Sequence, residues 1–117
     1  MMKFIFLHLI TALVCAQTFA SVSKSDSRKN ALKKIQRSCE RGIERPKILG
    51  ERIAFCACVV RNHSAQTETK ELKLIERIYS KQIDPNEPTT NDESVVADFD
   101  MDVAASCLAN PKYNVSK

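Results

Sequence analysis

Apolar positions recur along most of this chain at steps of three and four residues, the period of one face of an α-helix. The first stripe is Ala31, Leu32, Ile35 and Cys39, with Lys29, Lys33, Lys34, Gln36, Arg37 and Glu40 on the other side. It predicts a helix from about Arg28, capped by Ser25, Asp26 or Ser27 and stopped at Gly42. Arg45-Pro46 blocks continuation, because the residue before proline disfavours helical backbone. A second helix is predicted from Lys47 or Gly50 to about Asn62. It is apolar at Ile48, Leu49, Ile53, Ala54, Phe55, Cys56, Ala57, Cys58, Val59 and Val60. A helix apolar over most of its circumference belongs at the centre of a fold.

The third predicted helix, Thr67 to Ile83, turns Leu72, Leu74, Ile75, Ile78 and Tyr79 inward. Asp84 to Thr90 holds two prolines and reads as a loop. Thr90-Asn91-Asp92-Glu93 has the form of a capping box, a hydroxyl and a carboxylate closing a helix start. The fourth helix carries Val96, Phe99, Val103 and Cys107 inward and ends at Asn110-Pro111. The expected fold is all-α, a small four-helix bundle. Residues 21–27 and 111–117 are expected to be loose.

The first twenty residues change the picture. Lys3 precedes a mostly apolar run from Phe4 to Ala16, and Thr18 and Ala20 follow as small residues. A membrane-spanning helix needs about 20 apolar residues, so this shorter run reads as a cleaved signal peptide. Cleavage is expected after Ala20, with Ala16 as the second option, and either cut discards Cys15. Lipidation at Cys15 is disfavoured, since Val14 stands where a very small residue is usual. Residues 21–117 then form a single helical domain, expected to be periplasmic or secreted, with no stable membrane insertion.

Charge adds a second observation. Without the leader there are 17 Lys and Arg against 14 Asp and Glu, unevenly placed. Lys24 to Arg52 holds ten basic and four acidic residues, while Asp84 to Asp102 holds seven acidic and no basic ones. Either the basic first helix lies against the acidic last one, or a charged face is open to an anionic partner. Nucleic acid is excluded as the expected partner by export, the shortage of aromatics and the lack of any recognised binding motif.

Four cysteines remain: Cys39, Cys56, Cys58 and Cys107. An even number in an exported chain of this length reads as a disulfide framework. Positions two apart on a helix point about 200° apart, so Cys56 and Cys58 cannot readily bond to each other. They reach two different neighbours. A helical hairpin about Pro46 brings Cys39 near the level of Ile53 to Cys56, favouring Cys39–Cys56 with Cys58–Cys107. The swap, Cys39–Cys58 with Cys56–Cys107, stays open.

Sharper chemistries fit less well. Cys39, Cys56, Cys58 and His63 are thiolate and imidazole donors, but their spacing is not a zinc-finger spacing, and His63 is expected exposed past a helix end. A redox pair is normally Cys-x-x-Cys at a helix start, where the thiol pKa is lowered. Asp98, Asp100 and Asp102 resemble the opening of a calcium loop, yet Val103 and Ala109 stand where such a loop needs Gly and Glu. These three aspartates are expected on the outer faces of the last helix. Asn62-His63-Ser64 and Asn114-Val115-Ser116 fit the N-glycosylation sequon. No catalytic, metal or cofactor-binding residue is assigned.

Cys39, "FCACVV" from Phe55 to Val60, and Cys107 in "VAASCLANP" together make a C…CxC…C layout. In this the chain resembles small exported bacterial helical proteins of unassigned function, a resemblance that implies a periplasmic location and no particular activity. The expected function is therefore a non-enzymatic, disulfide-stabilised helical protein binding another macromolecule, with a protein as the candidate class of partner, without a cofactor. The alternatives are a thiol-based metal or redox protein using Cys56 and Cys58, and a secreted effector or toxin-like protein.

Overall fold

Ala31, Ile35 and Cys39 lie along one side of a helix covering residues 26–42 (α1), and all three are buried. The computed structural model describes residues 26–42 and 46–115. The expected leader, residues 21–25, residues 43–45 of the first turn and the last two residues lie outside the described residues. Three further helices follow: α2 (Leu49–Gln66), α3 (Thr69–Tyr79) and α4 (Asn91–Ala109). Among the described residues there is no strand, and no helix is long and apolar enough to cross a membrane.

The contacts fix how the helices run. Arg28, early in α1, donates to the carbonyls of Ser64 and Thr67 at 2.7 and 2.8 Å, at the far end of α2. Cys39, late in α1, is bonded to Cys56, so the two helices are antiparallel. Cys58 is bonded to Cys107, and His63 meets Asp100, so α4 is also antiparallel to α2. Lys70 lies beside Asp92 while Tyr79 reaches Asp100, and α4 therefore runs parallel to α3. Residues 80–90 must return along the bundle, a longer crossover than the short connections expected.

Two apolar clusters result. Cys39, Phe55, Cys56, Cys58, Val59, Val103 and Cys107 form one around the sulfurs. Ala31, Ile35, Leu72, Ile75 and Val96 form the other, between α1, α3 and α4. The apolar start of α2 departs from expectation: Ile48, Leu49, Ile53 and Ala54 are exposed, and burial begins at Phe55. Helix α2 also runs to Gln66 rather than ending near Asn62, because its last turn is held by Arg28 and by Thr67 bonding back to His63.

Helix ends have local causes. At α3, Gln82 N–H donates to Arg77 O at 2.8 Å and Lys81 N–H to Ile78 O at 3.1 Å. This is a Schellman cap, with Lys81 at φ 65° in the left-handed place usually taken by glycine. The turn ends α3 before Ile83 and delivers that side chain into a buried position. At α4, Thr90 Oγ1 accepts from Glu93 N–H at 3.1 Å. The Glu93 carboxylate accepts from the amide and hydroxyl of Thr89, one residue before the reciprocal partner expected of the box. Chiefly through the Thr89 hydroxyl, that carboxyl is held below its ordinary range.

The tail expected to be loose is tied down over residues 111–115. Arg61 donates to Pro111 O at 3.1 Å and Tyr113 O at 3.0 Å. Asn62 Nδ2 donates to Tyr113 O at 3.2 Å, and its Oδ1 accepts from Val115 N–H at 2.8 Å.

Two stability measurements test this account. Replacing Lys81 with Gly relieves a left-handed side-chain clash and is expected to raise unfolding free energy by about 0.5–1 kcal/mol in urea titrations; a loss would show that φ at this position is not limiting. Cys58→Ala with Cys107→Ala opens a 49-residue loop, and is expected to cost about 4 kcal/mol. Lys73→Ser, on the exposed side of α3, should stay within about 0.5 kcal/mol.

Candidate functional site

Helical geometry sends Cys56 and Cys58 to different neighbours, and the structure pairs them as Cys39–Cys56 and Cys58–Cys107, with Cα–Cα distances of 5.8 and 5.9 Å. All four residues are fully buried. With every one of these sulfurs in a disulfide, the oxidised chain presents no thiolate from the set considered for metal or exchange. Among the described residues no group of three or more His, Cys, Asp and Glu side chains is placed to hold a metal ion.

His63 is not where the sequence suggested. It lies inside α2 and is 0% exposed, because the helix continues one turn past Asn62. Its Nε2 is 2.7 Å from Asp100 Oδ1, and the Tyr79 hydroxyl donates to the same oxygen at 2.9 Å. The carboxylate accepts from both, which places the imidazole proton on Nε2. Phe99 packs edge-on against the ring at a centroid distance of 5.5 Å. Nδ1 is buried with no hydrogen-bond partner among the described residues. Asp100 therefore turns inward, a correction to the outer face expected for it, while Asp98 and Asp102 are exposed as expected.

This trio resembles an imidazole oriented by a carboxylate, but among the described residues no hydroxyl or thiol nucleophile sits on the free ring nitrogen. Its evident work is to satisfy polar groups where α2, α3 and α4 meet. Burial, and then the charge and hydrogen bond of Asp100, push the Tyr79 phenol well above its ordinary value of 10.0.

Asn62 is the second residue missed. It is 1% exposed, and its Nδ2 donates to Cys58 O at 2.8 Å while lying 3.6 and 3.7 Å from the sulfurs of Cys58 and Cys107. Its sequon is closed in the folded chain. Asn114 is exposed, with Oδ1 accepting from Arg61. A period-based signal did exist for two of these residues. Asp100 falls on the stripe Val96, Asp100, Val103, Cys107, and His63 on Cys56, Val59, His63.

A concave surface lies beside this cluster. A half-open groove of about 620 Å³ runs between the end of α2, α3 and the first turns of α4. Leu74, Ile75, Val96 and Phe99 form its floor, Val95 stands on its edge, and Lys70, Glu71 and Asp92 are polar neighbours. A second hollow of about 600 Å³ shares Lys70, Leu74 and Asp92, so the two are continuous along the α3–α4 seam. The Lys70–Asp92 contact is 3.6 Å with both side chains well exposed, a geometry that contributes little stability.

No protein-family model matches the chain, and neither does any curated protein or solved structure.

Tyr79 gives a pH test. Its folded-state pKa is raised, so the folded chain keeps a proton that the unfolded chain loses above about pH 10. The associated stability is complete below that pH and falls above it, by up to about 1.4 kcal/mol per pH unit. Between about pH 10 and pH 12, unfolding free energy should therefore fall more steeply in the wild type than in Tyr79→Phe. Parallel slopes in denaturant titrations would show that the phenol ionises in the folded state as freely as in the unfolded one.

Proposed function

We propose that this chain is an exported, non-enzymatic helical module that binds another macromolecule, with a protein as the expected class of partner, through the α3–α4 groove. The observation that carries the reading is the groove itself: a hollow floored by Leu74, Ile75, Val96 and Phe99 beside a core cross-linked by two disulfides. Val95 is 59% exposed at its edge, and apolar surface of this kind beside a charged rim suits a protein partner. The two buried disulfides support an oxidising environment, and together with the expected leader they favour the periplasm or the secreted space. The non-enzymatic reading is supported by the trio, whose carboxylate accepts from the imidazole and the phenol and which has no nucleophile beside it among the described residues.

A photoreactive side chain at position 95, compared with one at the exposed position 51 of α2, tests this in the exporting cell. Illumination is expected to give discrete adducts from position 95 that excess unlabelled wild-type protein competes away. Adducts of equal yield from both positions, or none from position 95, would remove the groove as the binding surface.

A further inference from the structure

Helix α1 carries two rows of side chains spaced four residues apart. Ala31, Ile35 and Cys39 form the buried row, and Lys29, Lys33, Arg37 and Arg41 form the other, entirely exposed. The rows are displaced by two residues, which on an α-helix is about 200°, so they lie on opposite sides. Burial of the first row therefore dictates that the second faces solvent. Rotation of α1 is prevented covalently by Cys39–Cys56 and at the other end by Arg28 on the Ser64 and Thr67 carbonyls.

The described residues do not neutralise this row. Among the described residues, the ion pair that α1 makes to another helix is Lys34–Glu76 at 3.5 Å, and Lys34 is outside the row. No described carboxylate lies within ion-pair distance of Lys29, Lys33, Arg37 or Arg41. Of the acids on α1, Asp26 is exposed at its start and Glu40 accepts from Gln36 at 3.2 Å. Among the described residues the acidic face of α4 is not brought against the basic helix: Asp92 pairs with Lys70, and Asp100 accepts a hydrogen bond from His63. Cancellation between the two halves of the chain, one of the two readings of the charge pattern, is absent from the described contacts.

We propose that the α1 row is a binding site for a linear polyanion carrying phosphate groups, separate from the α3–α4 groove. The four cations are about 6 Å apart along the axis, about 18 Å in all, from the helical rise of about 1.5 Å per residue. The row is one side chain wide, which matches a chain of charges better than a plane of them. It contains no apolar side chain to enter a bilayer and no aromatic to stack on a base. Its two arginines offer planar forks suited to phosphate oxygens. Attraction then comes from replacing counterions along the polymer, and it weakens steeply with salt.

Fluorescently labelled inorganic polyphosphate, titrated with the oxidised protein and read by anisotropy, tests the proposal. With about four contacts, affinity should fall about 50-fold between about 50 and about 200 mM salt. The variant Lys29→Gln, Lys33→Gln, Arg37→Gln, Arg41→Gln should lose at least about tenfold in affinity at the lower salt while keeping its helical circular dichroism. A variant of equal charge change, Lys47→Gln, Lys73→Gln, Arg77→Gln, Lys112→Gln, removes exposed cations elsewhere and should lose less than about threefold. Equal losses in the two variants, or no binding by the wild type, would overturn the proposal. Tighter binding to anionic phospholipid vesicles than to polyphosphate would reassign the row to a membrane surface. Salt-sensitive dimers in ultracentrifugation, lost in the row variant while polyphosphate fails to bind, would reassign it to a second copy's acidic α4.

Discussion

Two cysteines on one helix, a single residue apart, cannot face the same way, and that constraint organises this molecule. Cys56 and Cys58 are fully buried and bonded outward to α1 and α4 respectively. A helix tied to two others has to lie between them. The sulfur-centred cluster collects around α2, and α3 closes the remaining side with Leu72 and Ile75. The disulfides also set rotation as well as position: once Cys39 is fixed, the buried row and the basic row of α1 have no choice of side.

Polar groups complete what the sulfurs begin. His63, Tyr79 and Asp100 come from three different helices and meet at one carboxylate oxygen. A buried phenol and imidazole without that acceptor would each forfeit a hydrogen bond in a medium that offers no water in exchange. Arg28, Arg61 and Asn62 do comparable work at helix and chain ends, each bonding backbone carbonyls that have no helical partner nearby. Much of the tertiary specificity of so small a core thus resides in side chains that a hydrophobicity profile counts as surface.

That is also the dividing line in what the residues revealed beforehand. Helix class, the stripes of α1, α3 and α4 and the Thr90 cap follow from local period and geometry, where each residue's neighbours lie within one turn. The same geometry parts Cys56 from Cys58 but leaves two pairings open, and long-range packing decides between them. His63 and Asp100 were expected outside because charge and polarity ordinarily mark the solvated face. Their place on the apolar stripes was visible, but the partner that makes burial tolerable lies 37 positions away in sequence. The tail after Asn110 was misread for the same reason, since its anchors, Arg61 and Asn62, belong to α2. Ile48, Leu49 and Ile53 erred in the opposite direction: apolar composition alone does not show whether a neighbouring helix extends far enough to cover them. The groove had no local signature, because its walls are assembled by the parallel run of α3 and α4 after the 80–90 crossover.

The adjacency of Cys56 and Cys58 has a mechanical consequence. From Cys39 the covalent chain passes through one sulfur bridge to Cys56, through Ala57 to Cys58, and through the second bridge to Cys107. Tension applied to the two ends of the molecule follows that short route and bypasses the α1–α2 turn, all of α3 and the 80–90 crossover. Those segments can be strained, or cut by a protease at the exposed Asp84–Thr90 stretch, without parting α1 from α4. Under shear or proteolysis the oxidised chain is thereby held together along a strut only three backbone residues long at its centre.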